Sequence, residues 1–431
     1  MTLIWLGYYP PFFMENAMYI ISAASPFFLL FLSTLMLSMA GSLQNTLLSV
    51  RLSYAGWDEQ IIAITMSGYY IGMIFGFFVC QQTVKRVGHI RAFTAFAAIT
   101  AFAAIAHGLY DAPLFWFVLR VCSGICIASL YMVVESWVNE RVESDVRGRV
   151  LSLYMVVVYF GNGLGQMMLN LAPIEENLLF MVLGMLFSLC IVPISLTQAI
   201  YPKPLDVVHY NLLKLLRLAP FAMFGSFMSG MINGSFYVMG PLYALGIGLD
   251  ITQVTMFMTL TIWAGLFFQW PMGIISDRFD RLAILSALSF FTAMICLAIA
   301  LMGHVDYSIL MGLSVFFGVV FSIYPVAVAR AQDNIDVENI VPISAALILC
   351  YSVGSGIGPL ISSGIMKVTS PSGFYFFCAA CSAILATTAL YFRKDLPVDT
   401  DELSVYVPMP RKSAVISSLH PDNWDDDDNP E

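Results

Sequence analysis

The sequence predicts an all-α integral membrane protein with twelve transmembrane helices in two pseudo-symmetric halves of six. Three observations predict this fold: an apolar composition, twelve apolar runs long enough to cross a bilayer, and motifs that recur at one offset along the chain. Hydrophobic residues make up 59% of the 431 residues and charged residues only 11%. A soluble domain carries about 25% charged residues, so we expect lipid to surround most of this chain.

The apolar runs define the helices. A bilayer core of about 30 Å requires roughly 20 apolar residues in a helix, because no water is present there to satisfy the backbone. The runs of the first half lie near 26–50, 60–82, 92–110, 112–138, 150–172 and 177–197. Those of the second half lie near 218–244, 251–275, 282–303, 307–329, 339–366 and 372–392.

Five segments follow from these runs. Residues 26–197 form the predicted N-terminal half, residues 218–392 form the C-terminal half, and the polar stretch 198–217 connects them. Residues 1–25 are an apolar extension without the basic start of a signal peptide, and Met14 is a possible alternative start. Residues 393–431 are predicted to form an acidic, disordered tail, which carries much of the net charge of −9.

The distribution of basic residues predicts the orientation. Sixteen of the nineteen Lys and Arg residues lie in the loops after even-numbered helices, the connector and the tail. Only Arg51 and Lys367 lie in loops on the opposite side, and the remaining one, Arg120, is inside a helix. Basic loops stay in the cytoplasm, so both termini are predicted to be cytoplasmic.

Internal repeats predict how the two halves are related. Tyr131 lies 193 residues before Tyr324, and Asn45 lies 192 residues before Tyr237 in a similar apolar pattern. The stretch 161–166 (GNGLGQ) precedes 354–359 (GSGIGP) by 193 residues, and 85–88 (KRVG) precedes 277–280 (DRFD) by 192. A constant offset of this size indicates two copies of one six-helix unit, in parallel along the membrane normal.

Two loops and one helix carry a family resemblance. The segment 273–281 (GIISDRFDR) resembles the loop motif of the major facilitator superfamily (MFS), and 81–91 resembles it with Lys85 in place of the family's Asp. The segment 120–124 (RVCSG) resembles the family's RxxxG of helix four, and 133–166 is similar to the bacterial YcaD-like group. The gating motif that the resemblance implies comprises Arg86, Gly88, Arg91, Gly273, Asp277, Arg278 and Arg281.

The resemblance implies a secondary transporter of the bacterial inner membrane that moves a small solute by alternating access. It also implies that helices 1, 4, 7 and 10 line a central cavity. Polar residues recur at helical spacing on helices 1, 4 and 7, which places them on one face of each helix. The alternative is that they only bond neighbouring helices together. The predicted cavity residues are Ser42, Asn45, Tyr131, Asn162, Gln166, Asn233, Tyr237 and Tyr324.

Two charges lie deep in predicted helix 4, and they are the candidates for proton coupling. A charge inside a transmembrane helix costs at least ~2.5–3.5 kcal/mol, so it persists where it is paired or wetted. Arg120 and Glu135 have Leu313 and Val328 at the equivalent positions of the second half, so symmetric packing does not require them. Arg120 could bind an anionic group or repel a proton from its carrier. Glu135 could carry the proton, and its alternative role is an ion pair with a loop arginine such as Arg141.

Glycine spacing predicts close helix contacts. The helix-packing motif comprises Gly161, Gly165, Gly354, Gly358 and Pro359. The family resemblance implies that GxxxGP on helix five marks antiporters. This chain has Gln166 at the proline position and carries the full pattern on helix eleven, which leaves the direction of transport open.

Other function classes are disfavoured by the sequence. No phosphate-binding GxxxxGK[ST] occurs, the five histidines are far apart in sequence, and the eight cysteines lie in apolar runs. We therefore expect no cofactor, no metal, no enzymatic activity and no nucleic-acid partner. The prediction is a monomeric, proton-coupled transporter for which efflux is slightly favoured over uptake. A non-transporting scaffold or sensor with the same fold is the alternative of another class.

Overall fold

The computed structural model describes residues 27–141, 147–196, 218–302, 306–333 and 340–393, with side chains except at 139–149, 340 and 341. The predicted N-terminal extension and connector, and the tail beyond residue 393, lie outside the described residues. We number the long helices α1 to α12 in chain order.

The helices of the N-terminal half follow the predicted runs closely. They are α1 (Phe28–Tyr54), α2 (Glu59–Val87), α3 (His89–Ala106), α4 (Pro113–Arg141), α5 (Arg147–Met167) and α6, which has two segments (Leu178–Leu189 and Ile191–Ser195). A short 3₁₀ helix, Met168–Leu171, continues α5. Arg51, predicted in a loop, lies in the last turn of α1.

The C-terminal half has the same element order. Its helices are α7 (Pro220–Gly246), α8 (Ile251–Ser276), α9 (Arg281–Leu301), α10 (Tyr307–Phe317 and Ile323–Gln332, joined by the 3₁₀ helix Gly318–Ser322), α11 (Ile340–Val368) and α12 (Gly373–Arg393). Lys367, predicted in a loop, lies in the last turn of α11.

Most of these helices have the composition of membrane spans. Among the residues that the structure describes, eleven helices are long and apolar enough to cross a membrane. The twelfth, α7, has 27 residues and no charge but falls outside this set because its Gly, Ser and Asn residues lower its hydropathy. Large apolar side chains such as Phe102, Phe267 and Trp270 are exposed on the outside of the bundle, as a lipid-facing surface requires.

The same packing pattern occurs in both halves. The helix pairs α1–α5, α2–α4 and α3–α6 of the first half correspond to α7–α11, α8–α10 and α9–α12 of the second, and each pair is in extensive contact. The correspondence confirms the two-copy architecture that the sequence offset predicts.

The predicted packing glycines lie where two backbones meet. A Cβ on Gly165 would overlap the carbonyl oxygen of Met39, and a Cβ on Gly358 would overlap that of Met231. Gly161 and Gly354 meet Leu35 and Phe227 in the same way one turn earlier. Both the glycines and their partners are therefore related by the offset of 192–193 residues. Only glycine permits this approach of the α1–α5 and α7–α11 backbones.

Three of the contacts between the two halves lie towards one end of the bundle, where α2 and α8 begin and α5 and α11 finish; we call it the Asp58 end. Ser67 donates to the carbonyl of Gly356 at 2.8 Å, and Asn170 donates to the hydroxyl of Thr255 at 2.9 Å. Lys367 forms an ion pair with Asp58 at 2.8 Å. The opposite end, which carries Asp277, is the Asp277 end. By the predicted orientation, the Asp58 end is periplasmic.

Candidate functional site

A central cavity lies between the two halves, near the middle of the helices. The volume that the centre of a water-sized sphere can occupy inside this cavity is about 80 Å³. That space suits a few water molecules, so the cavity is nearly closed in this conformation. Its lining residues come from α1, α2, α4, α5, α7 and α11 and are Gly41, Ser42, Asn45, Tyr69, Tyr70, Met73, Tyr131, Tyr154, Met155, Val158, Tyr159, Asn162, Tyr237 and Tyr351.

Half of these fourteen lining residues are tyrosines, so the wall combines aromatic faces with hydroxyl groups. Aromatic rings bind planar apolar surfaces, and phenol hydroxyls both donate and accept hydrogen bonds. Tyr159 of α5 and Tyr351 of α11 contribute to this wall from different halves. Such a wall suits a small amphipathic molecule with polar substituents.

Sequence patterns identify only part of this lining. Five of the candidate residues, Ser42, Asn45, Tyr131, Asn162 and Tyr237, line this cavity. The tyrosines of α2, α5 and α11 were not predicted, because the family resemblance places the cavity lining on helices 1, 4, 7 and 10 and only Asn162 and Gln166 were added from helix 5. The repeat supplies no signal for the tyrosines at 159 and 351, because the offset of 193 residues pairs Tyr159 with Ser352.

Three predicted cavity residues lie outside the lining of this cavity. Gln166 binds α1, since it accepts from Thr46 at 2.7 Å and donates to the Ser42 hydroxyl at 2.8 Å. Asn233 donates to Ser229 within α7 at 3.1 Å. Tyr324 lies behind the wall, with its ring 5.1 Å from that of Tyr351. Gln166 thus holds α5 against α1, the helix-bonding role that was its alternative.

Arg120 is fully buried in α4 and lies next to the cavity wall. Its Nη2 donates to the amide oxygen of Asn45 at 2.7 Å, and its guanidinium lies 4.6 Å from the centre of the Tyr69 ring. Nε and Nη1 have no hydrogen-bond partner among the described residues. One turn later, Gly124 lets α4 touch the backbone carbonyl of Tyr69. The RxxxG spacing therefore brings α4 onto α2 and sets the charge over the tyrosine ring.

Glu135 is buried on the same helix, nearer the Asp277 end. The hydroxyl of Tyr154, a cavity residue, donates to its carboxylate at 2.9 Å. Tyr131, one turn earlier on α4, shares a hydrogen bond of 2.9 Å with Ser38 of α1. The side chain of Arg141, the alternative ion-pair partner of Glu135, lies outside the described residues. A carboxyl and a phenol at hydrogen-bond distance are groups that can hold and pass a proton.

The C-terminal copy of the loop motif is an interaction centre. Arg281 is buried and donates to the carbonyl of Ala329 at 2.8 Å and to Asp277 at 3.4 Å, and it also pairs with Asp333. These contacts tie the α8–α9 turn to the end of α10, within one half. Arg278 is exposed, and Gly273 is buried.

The N-terminal copy is different. Arg86 and Arg91 are exposed. Gly88, with a φ of 81°, both ends α2 and begins α3. This left-handed backbone favours glycine, so the glycine of this copy has a direct structural role in the turn.

The described residues contain no group of three or more His, Cys, Asp or Glu side chains that could hold a metal ion. Two buried charged side chains, those of Arg120 and Glu135, lie beside the central cavity. Taken with the fold, this arrangement defines a class: a multi-pass membrane carrier with a central site between two six-helix halves.

The chain belongs to the Major Facilitator Superfamily. The family model matches residues 30–341 and 222–411. An uncharacterised MFS-type transporter of Enterobacter sp. (strain 638) is 29% identical over 362 residues, which cover 83% of this chain and 94% of that protein. The uncharacterised MFS-type transporter YcaD of Salmonella heidelberg (strain SL476) has the same identity and coverage. The predicted family and subgroup resemblance are thereby confirmed.

Solved structures show the same fold. The nucleoside transporter NupG matches with a TM-score of 0.71 at 13% identity, over 85% of this chain and 98% of that chain. The D-xylose-proton symporter matches with a TM-score of 0.67 at 13% identity, over 84% and 96% of the two chains. These neighbours confirm the MFS fold, and with the family they identify the chain as a secondary transporter embedded in a membrane.

Proposed function

We propose that this protein is a proton-coupled secondary transporter of the bacterial inner membrane, with cytoplasmic termini, which moves a small solute by alternating access through the tyrosine-lined cavity. The observation that carries the proposal is the hydrogen bond from Tyr154 to Glu135. It links a buried carboxyl directly to the wall of the central cavity.

The location of Glu135 supports a proton-carrying role. A buried carboxylate is costly, and it becomes neutral when it binds a proton. Binding of solute in the cavity can reposition Tyr154, which changes how well the carboxylate is stabilised. Proton uptake and solute binding are coupled in this way, and coupling of two binding events is reciprocal.

The contacts between the halves support alternating access. The hydrogen bonds and the ion pair between the halves that we described above lie towards the Asp58 end, so rocking of the halves must break them to open that side. The exposed ion pair and single hydrogen bonds are each weak. A junction of this kind can open and close repeatedly. Export driven by proton entry is the favoured direction, and uptake by the same device is the alternative.

The first test is a ligand screen by thermal stability. Purified wild type and Glu135→Gln are compared at pH 5.5 and 7.5 against metabolites and antibacterial compounds. A ligand at 100 times its Kd stabilises the folded state by about 2.7 kcal/mol. We expect some ligands to stabilise wild type by an amount that differs between the two pH values. The same ligands should stabilise Glu135→Gln equally at both pH values. Glu176→Gln, an exposed loop carboxylate, is the control.

The second test uses reconstituted vesicles with a pH dye inside. Wild type should move protons when a ligand is added, and Glu135→Gln should exchange labelled ligand but move no protons. Uphill transport that is unchanged in Glu135→Gln would overturn proton coupling through this residue. If no compound binds either protein, the scaffold or sensor alternative gains support.

A further inference from the structure

Arg120 is a buried cation whose charge nothing in the described structure neutralises. It is 1% exposed, and it forms no ion pair among the described residues. Its hydrogen-bond partner, the Asn45 amide, is neutral. The face of Tyr69 offers a weak attraction, typically about 0.5–2 kcal/mol. Two of its three nitrogens keep unused donors.

The two buried charges beside the cavity differ in one chemical respect. Glu135 can become neutral by binding a proton, but a guanidinium stays charged at any pH that a cell experiences. An anion is the partner that offsets the cost of burying Arg120 most fully. The described residues supply no such anion, so a bound solute with an anionic group would suit this charge.

The route from outside is the cavity. Asn45 and Tyr69, the two residues that contact the guanidinium, both line it. A small displacement of the Asn45 amide would open the guanidinium to a bound solute. The equivalent position of the second half is Leu313, so the charge marks one side of the cavity only.

We propose that the transported solute is a small organic anion, whose carboxylate or phosphate binds Arg120 while its body lies among the cavity tyrosines. The inference rests on the proposed transport function and names its substrate class. A charge-assisted hydrogen bond to guanidinium is about twice as strong as a neutral one, so the anionic group determines selectivity. The aromatic wall favours a body that is planar or carries hydroxyl groups.

The test compares each anion with a neutral partner that keeps the same aromatic ring. Benzoate, 4-hydroxybenzoate and phenyl phosphate are titrated against benzamide, 4-hydroxybenzamide and phenol on the purified full chain. The proteins are wild type, Arg120→Gln, Arg120→Lys and the control Arg51→Gln, which removes an arginine that pairs with Asp111 near the Asp58 end. Binding is read from thermal stability and from calorimetry.

We expect at least one anion to bind wild type, with its neutral partner at least tenfold weaker. Arg120→Gln should raise the Kd of the anion at least tenfold and leave that of the neutral partner unchanged. The Kd of the anion for Arg120→Lys should lie between those for wild type and Arg120→Gln. The Kd for Arg51→Gln should equal that for wild type. Absence of anion binding, equal binding of the neutral partner, or an Arg120→Gln Kd within twofold of wild type would overturn the inference.

The stability of the ligand-free variants is a second readout. Removal of a buried charge that lacks a partner should leave the melting temperature of Arg120→Gln equal to or above that of wild type. A clear decrease in Arg120→Gln and Arg120→Lys alike would assign Arg120 a structural role and overturn the inference.

Failure of the transport proposal is recognised separately. It would appear as the absence of proton movement with any compound in the vesicle assay. If neutral compounds drive proton movement and anions do not, the function holds and only the substrate class is wrong.

Discussion

Lys367 Nζ lies 2.8 Å from the carboxylate of Asp58, and this ion pair joins the last turn of α11 to the residue that caps α2. Asp58 also accepts from the backbone of Gln60 at 2.9 Å. Asp58 thus caps the first turn of α2 in one half and forms an ion pair with α11 of the other half. Both side chains are largely exposed, so the pair has little effect on folding, but it acts directly on the contact between the halves.

Asp58→Asn should increase opening of the Asp58 end by a few-fold, because the attraction to Lys367 is lost. The measurement is the labelling rate of a Ser42→Cys reporter in the cavity by a membrane-impermeant maleimide, in right-side-out vesicles. Asp111→Asn is a matched control, since it breaks an ion pair with Arg51 within one half at the same end. Exchange of the charges, Asp58→Lys with Lys367→Asp, should restore slow labelling. Labelling as slow as in wild type would show that the pair does not hold the halves.

The same pair should be insensitive to pH across the physiological range. The hydrogen bond from Lys367 and that from the Gln60 backbone hold the pKa of Asp58 below its ordinary value of 3.8. Because the pKa of Asp58 is lowered, the ion pair stabilises the contact between the halves at any pH above 3.8, the ordinary pKa of the carboxyl. This stabilisation is lost only as the pH falls through the lowered pKa. We therefore compare the labelling rate of the Ser42→Cys reporter with and without Asp58→Asn. The ratio of the two rates should be constant from pH 5 to 8. A pH-dependent ratio would contradict this assignment.

Tyr154→Phe should weaken the coupling of solute to protons. The variant removes the hydroxyl that donates to Glu135, and hydrogen bonds to charged groups contribute about 1.5–3 kcal/mol. Without this donor the carboxylate form of Glu135 is less stable, so the residue binds its proton at a higher pH. The pH at which transport reaches half its maximum should therefore be higher in the variant. The measurement is the pH profile of proton-driven transport in vesicles.

Tyr159→Phe is the matched control, because this cavity tyrosine bonds Gln269 rather than Glu135. Its midpoint should remain that of wild type. Equal midpoints in all three proteins would exclude Tyr154 from the coupling path.

The glycine contacts should be equally sensitive in both halves. Gly165→Ala and Gly358→Ala each place a methyl group against a backbone carbonyl of the neighbouring helix, and overpacking of this kind costs roughly 1–3 kcal/mol. The measurement is the unfolding free energy in mixed detergent micelles. Gly312→Ala is the control, since a Cβ there meets nothing within 4 Å, and it should be neutral or stabilising. A tolerated Gly358→Ala beside a disruptive Gly165→Ala would contradict the structural equivalence of the halves.

The sequence by itself determined the helices, their number and the two-copy architecture. These depend on local hydropathy, on the length that a bilayer imposes and on an offset between motifs, all of which are properties of the linear chain. The glycines at 161, 165, 354 and 358 were predicted for the same reason, because small residues one turn apart indicate a close helix contact wherever they occur.

The tertiary structure decided which polar residues face the cavity. Gln166 and Asn162 are one turn apart on α5, yet Asn162 lines the cavity and Gln166 bonds α1. Periodicity identifies a polar face but cannot say whether a neighbouring helix or a space lies opposite it. That choice depends on how six helices pack. The same packing places the tyrosines of α2, α5 and α11 in one wall, and it leaves Arg120 beside that wall, in contact with Asn45 and Tyr69.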